Sequence, residues 1–136
     1  SFNQIKDKGQ VRLFKSHKAG YQDGEQLRDF IYVKDVVKVM VWLKDNQHNV
    51  SSGLYNLGTG KARYFKDLVN ATFDAMNMAP NIEYIDMPED IRDKYQYFTE
   101  ADMRKLQQAG YTNGFYSLED GVRDYVQHYL LKNEYI

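Results

Sequence analysis

The chain has 136 residues, with 18 lysines and arginines against 19 aspartates and glutamates and a formal net charge of -1. So close a balance gives no electrostatic footing for nucleic acid or an anionic membrane as the main partner, and no apolar run approaches the roughly 20 residues a membrane helix requires. Hydrophobic residues make up 43%, enough for a packed core, while the absence of cysteine removes disulfides and thiolate metal sites and fits a reducing cytoplasm.

The first residues, SFNQIKDKG, place Phe2 and Ile5 at helical spacing, with Gly9 as the stop just past the helix end. A chain that opens inside a helix without an initiator methionine is expected to be cut from a larger protein. A tag remnant before a natural start is the alternative. Val11–Phe14 (VRLF) alternates polar and apolar and predicts a short strand. Residues 15–26, KSHKAGYQDGEQ, are polar, carry two glycines, and predict a loop. Leu27–Val33 reads as the next strand, rich in aromatic and β-branched residues. From Asp35, a plausible N-cap, the period changes to that of a helix with Val36, Met40 and Leu43 on one face and Val37 and Val41 beside them, ending near Asn46.

Gly53–Gly58 (GLYNLG) predicts a short, largely buried strand, and TGKAR a turn. Tyr64–Met78 predicts a second amphipathic helix with Phe65, Leu68, Val69, Phe73 and Met76 on one side and Pro80 just beyond its end. Ile82–Ile85 (IEYI) predicts a strand. The segments beginning at Thr99 and Ser117 both resemble capping boxes with Asp in place of the usual Glu. They would open a short helix ending near Gly110 and a last helix bearing Leu118, Val122, Tyr125, Val126 and Tyr129. The expected fold class is α/β: one unit of short strands and several helices without a complete doubly wound sheet, which needs a partner surface to cover its strand edges.

Few constellations here carry chemistry by themselves. The loop LYNLGTGKARYFKDL lies between a strand and a helix, where a phosphate cradle belongs. It lacks both required patterns: Tyr55 stands where a Walker loop needs glycine, Ala62 where it needs Ser or Thr, and Arg63 where a dinucleotide fingerprint needs its third glycine. A tight strand-to-helix turn is the plainer reading. Residues 86–93, DMPEDIRD, read as a solvated acidic loop before a metal site. His17, His48 and His128 have no ligand-like spacing. Tyr95 and Tyr97 read as half-buried packing whose phenols need partners. The strongest single lead is Arg28. Its guanidinium is a rigid fork suited to phosphate, and it sits where a polar loop enters a strand. Either an anionic ligand or a local carboxylate such as Asp29 or Asp35 would meet that charge.

RDFIYVKDV, starting at Arg28, followed by LYNLGTG, starting at Leu54, resembles the carboxyl-terminal half of an extended short-chain dehydrogenase/reductase. RLFKS, GTGKARYFKDL, KYQYFTEADM and SLEDGVRDYV carry the resemblance across essentially the whole chain, toward nucleotide-sugar epimerases acting on an ADP-linked sugar. The resemblance implies that residues 1–136 are the small carboxyl-terminal substrate-binding domain of a cytoplasmic two-domain enzyme, whose amino-terminal domain binds NADP. It implies an ADP-sugar substrate, a homo-oligomer of the full protein, and substrate contacts at Arg28, Tyr95, Phe14, Lys15, Ser16 and His17. It implies no catalytic residue here, since no tyrosine of the chain is followed four residues on by lysine. Another nucleotide-sugar dehydratase or reductase, or a nucleotide-binding module without catalysis, are the alternatives.

Overall fold

A computed structural model describes residues 1–134. Helix α1 (Phe2–Lys8) ends at Gly9, whose φ of 63° is left-handed and whose N–H returns to the Ile5 carbonyl at 2.8 Å. The chain turns directly into strand β1 (Val11–Phe14). Strand β4 (Ile82–Ile85) lies parallel to it, pairing Val11 with Ile82 and Phe14 with Ile85. Between them in sequence come strand β2 (Leu27–Arg28), helix α2 (Val33–Asp45), strand β3 (Arg63–Tyr64) and helix α3 (Phe65–Ala75). Strands β2 and β3 form a second, antiparallel ladder with Leu27 opposite Tyr64 and Arg28 opposite Arg63. Short helices α4 (Glu89–Arg92) and α5 (Arg104–Gln108) precede α6 (Leu118–Tyr125), which runs on into a wider π-helical turn over Val126–Leu130.

Two cores hold these elements. Ile5, Val11, Val69 and Phe73 pack between α1, β1 and α3, with Leu13, Met76 and Ile82 against them. Val39, Met103, Leu106 and Tyr111 form the second, where α2 meets α5 and the loops around it. The first core follows directly from the pattern of α3, since Val69, Phe73 and Met76 recur at helical spacing.

Four expectations need correction. The second strand covers only Leu27 and Arg28; residues 29–32 leave the ladder because Asp29 turns to bind another loop. Helix α2 starts at Val33 after Tyr32, and Asp35 is not a cap but a fully buried carboxylate accepting from the Tyr116 N–H at 2.8 Å and from Lys38 Nζ at 3.1 Å. That bond turns Val39, Trp42 and Leu43 inward and leaves Met40, Val37 and Val41 outside, so the inner face is rotated from the expected one. Residues 53–58 form no strand, and Gly53, Leu54 and Asn56 are exposed while Gly58 is buried. Finally, Thr99 caps no helix: α5 begins at Arg104, the Glu100 carboxylate accepts from the Ala62 N–H at 2.8 Å, and the Ala101 N–H goes to Asp29 at 3.0 Å. The Ser117 cap is as expected, its hydroxyl accepting from the Asp120 N–H at 3.0 Å.

Candidate nucleotide site

The central question is what meets Arg28. Its neighbour Asp29 does not. That carboxylate accepts from the Thr59 N–H at 2.8 Å, the Thr59 hydroxyl at 2.5 Å, the Gly60 N–H at 2.9 Å and the Ala101 N–H at 3.0 Å. Burial pushes the Asp29 carboxyl up, but the hydrogen bonds from Thr59, Ala101 and Gly60 outweigh it and hold the group below the usual carboxylate range. Gly58 makes the approach possible: a Cβ there would stand 2.4 Å from Asp29 Oδ2 and 2.6 Å from the Ala101 Cβ. The Gly58-Thr59-Gly60 turn is therefore an anion-binding nest filled by the protein's own carboxylate. It offers no cradle for a dinucleotide phosphate, and the plain turn reading holds.

Asp35 is committed to Tyr116 and Lys38, and Asp67 to Arg63. Arg63, opposite Arg28 in the ladder, also donates to Glu119 at 2.6 Å, so one of the two facing cations is neutralised by carboxylates. Arg28 has no such partner among the described residues. Its Nη1 donates to the Leu27 carbonyl at 2.8 Å, and its guanidinium carbon lies 5.7 Å from the centroid of Phe65 and 5.6 Å from that of Tyr95. The charge is held by aromatic faces, which leave most of its donors open.

Phe65 and Tyr95 also wall a cavity of about 380 Å³, with Leu13, Phe14, Gln26 and Ile85 among its other residues. Phe14 and Tyr95 meet edge to face at 6.2 Å between ring centroids. Tyr95 is placed by the segment that follows it: the Tyr97 carbonyl accepts from the Leu27 N–H at 2.8 Å, and the Thr99 N–H donates to the Leu27 carbonyl at 3.2 Å. Burial raises the Tyr95 phenol, and the field of Arg28 opposes that rise.

Of the residues singled out from sequence, the fold thus brings Arg28, Phe14 and Tyr95 together. The other three are occupied locally. Lys15 pairs with Asp86 at 3.4 Å. The Ser16 hydroxyl donates to the Lys18 carbonyl at 3.1 Å. The His17 N–H donates to the Tyr97 hydroxyl at 2.9 Å, while its Nε2 accepts from the Met87 N–H at 3.4 Å. Sequence reasoning missed Gln26 and Phe65 as cavity walls. The helical spacing puts Phe65 on the packed side of a helix, and Gln26 closes a loop with no periodicity to mark it.

Comparison with known proteins agrees with this architecture. The family model described as the NAD dependent epimerase/dehydratase family matches residues 2–58. An ADP-L-glycero-D-manno-heptose-6-epimerase of Fusobacterium nucleatum is 53% identical over 140 residues, covering 98% of this chain and 42% of that protein. A crystal structure of the Helicobacter pylori ADP-L-glycero-D-manno-heptose-6-epimerase superposes with a TM-score of 0.68 at 28% identity, covering 92% of this chain and 34% of the other. A UDP-N-acetylglucosamine 4-epimerase from Methanobrevibacter ruminantium reaches a TM-score of 0.74 at 20% identity over 96% of this chain and 38% of its own, a likeness of fold. The chain spans about two fifths of the length of the curated relatives it matches, and its α/β fold superposes on part of each of these epimerase structures.

Proposed function

We propose that this chain is the substrate-binding portion of an ADP-L-glycero-D-manno-heptose 6-epimerase, which converts the D-glycero to the L-glycero form of ADP-heptose for lipopolysaccharide core synthesis in the cytoplasm. The cofactor of the whole enzyme is NADP, which supplies transient oxidation and reduction at the epimerised carbon. Residues 1–136 contribute binding energy and orientation to that reaction, not the proton or the hydride. The sequence similarity to the Fusobacterium protein supports the substrate class.

The observation that carries the reading is Arg28, a half-buried guanidinium stacked on Phe65 and Tyr95 beside an apolar cavity, with no carboxylate to meet it among the described residues. A diphosphate neutralises such a fork by two parallel hydrogen bonds. The aromatic walls would then receive the base and ribose. Lys15, Ser16 and His17 follow Phe14 at the end of β1 and would approach the sugar nucleotide from there, with the Ser16 backbone N–H held by Asp23 at 2.7 Å. An exposed apolar stripe on α2 (Val33, Val37, Met40 and Val41) supports the view that the remainder of a larger polypeptide packs here. That polypeptide would assemble as a homo-oligomer.

Arg28→Ala in the whole epimerase is expected to weaken ADP-sugar binding by about 1.5–3 kcal/mol, roughly ten- to a hundredfold, and to leave NADP affinity unchanged. Titration calorimetry with each ligand decides it, and an unaltered sugar-nucleotide constant would return Arg28 to a purely structural role. Competition of ADP-heptose against UDP- and GDP-sugars separates this enzyme from other members of the extended family.

A further inference from the structure

The cavity beside Arg28 contains one buried polar side chain with an unused hydrogen-bonding atom. Gln26 is 2% exposed, and it lines the cavity among Leu13, Phe14, Phe65, Ile85 and Tyr95. Its Nε2 donates to the Phe14 carbonyl at 3.2 Å. A carbonyl can only accept, so this bond fixes which end of the amide is nitrogen and which is oxygen. The oxygen is thereby fixed too. Oε1 has no donor among the described residues, and it is not sealed from solvent, since Tyr111 Oη is the atom that combines full burial with no partner. The backbone holds Gln26 in place from its other side, its carbonyl accepting from the Phe65 N–H at 3.1 Å.

We propose that Gln26 is a specificity residue that reads the exocyclic amine of the base: its Oε1 accepts a hydrogen bond from the amino group of an adenine held between the aromatic walls. This inference rests on the nucleotide-sugar reading given above. The geometry makes the reading directional. A fixed acceptor welcomes an amine donor and repels the keto oxygen that guanine, hypoxanthine or uracil presents at the corresponding edge. Rejection is sharp in such a place, because a buried polar atom facing a base without a donor has lost water and gained nothing. Two further polar residues reach the wall, Gln4 and Arg12, but they are engaged elsewhere: the Arg12 N–H donates to Gln4 Oε1 at 2.9 Å and Arg12 Nε donates to Glu83 at 2.8 Å. The remaining wall is aromatic and aliphatic and stacks on any base alike. Arg28 likewise grips the diphosphate whichever nucleoside carries it. Base choice therefore falls to Gln26, the buried amide of the wall.

The test uses the whole epimerase and three diphosphates: ADP, purine riboside 5′-diphosphate, which lacks only the amine, and inosine 5′-diphosphate, which carries a keto oxygen instead. Wild-type protein is expected to bind ADP about tenfold more tightly than the amine-free analogue, and inosine diphosphate more weakly still. Gln26→Met, close in volume and without an acceptor amide, is expected to bring all three within about twofold of one another, with an unfolding transition like that of the wild type. Wild-type protein that binds ADP and the amine-free analogue alike overturns the proposal, as does a folded Gln26→Met that keeps the full preference. The wild-type comparison stands alone should the variant fail to fold. Arg28→Ala separates the two levels. If it weakens all three diphosphates equally while wild-type protein shows no base preference, the phosphate site survives and only the Gln26 assignment falls. If it weakens none of them, the nucleotide reading itself falls.

Discussion

Asp29→Ala is expected to lower the folding stability of the chain by about 3 kcal/mol, more than any substitution at the proposed ligand contacts. The carboxylate gathers the N–H groups of Thr59, Gly60 and Ala101 and the Thr59 hydroxyl. Each donor left unpaired out of water costs on the order of 1–3 kcal/mol, and the sum is reduced because the 58–60 turn relaxes once its anchor is gone. The loss also has a pH signature. The folded state holds the Asp29 carboxyl below its ordinary value, so it binds a proton less readily than the unfolded chain does. Its contribution is complete above the unfolded value, near pH 4, and is lost as pH falls through the lower folded value. The stability gap between the wild type and Asp29→Ala in denaturant melts should therefore narrow on acidification. A difference that stays constant from about pH 7 to about pH 3 would show that ionisation of Asp29 is not what holds the turn.

Phe73→Ala is the second large effect, expected at about 3–5 kcal/mol. The ring is 0% exposed and sits with Ile5, Val11 and Val69 where α1, β1 and α3 meet. Its removal leaves a void that these short elements cannot close without shifting β1. Because β1 carries Phe14 at its end, the same substitution should loosen the proposed base cavity. The measurement is a denaturant midpoint with its slope: a lower midpoint at unchanged slope is the expected outcome. A change below about 1 kcal/mol would mean that the core collapses freely around the missing ring.

The elements legible in the sequence are those whose local pattern and tertiary role agree. Gly9 closes α1, IEYI forms β4 over its expected residues, and Val69, Phe73 and Met76 face the core as their spacing predicts. Disagreements arise where a polar side chain reaches across the chain. Asp35 looks like a cap because it precedes a periodic run, yet its bond to the Tyr116 backbone draws it into the helix and sets which face of α2 points inward. The run from Val33 to Val41 is apolar on too many sides for periodicity alone to choose that face. GLYNLG fits a buried strand by composition, but its last glycine serves a close approach to Asp29. Within the candidate site, the chemistry of Arg28 marks it in the sequence, while only the family resemblance points to Phe14 and Tyr95. Phe65 and Gln26 were hidden, because what places them on one cavity is the pairing of β2 with β3, and no local signal reports a ladder whose strands are two residues each.

The way β2 is anchored has a consequence for variation in length. Leu27 is tied to Tyr97 and Thr99, and Asp29 to Thr59, Gly60 and Ala101, so Arg28 is clamped from both neighbours. In the polar stretch from Lys15 to Glu25, Lys15, His17, Gly24 and Glu25 are themselves tied to the body of the fold, and the part left loose is the exposed tip at residues 18–20. Lengthening it raises only the closure entropy, about 0.6 kcal/mol for each doubling. Relatives can therefore differ there by whole insertions while the guanidinium keeps its position, and a fluorophore or affinity peptide grafted near Gly20 would ride on the surface without disturbing it.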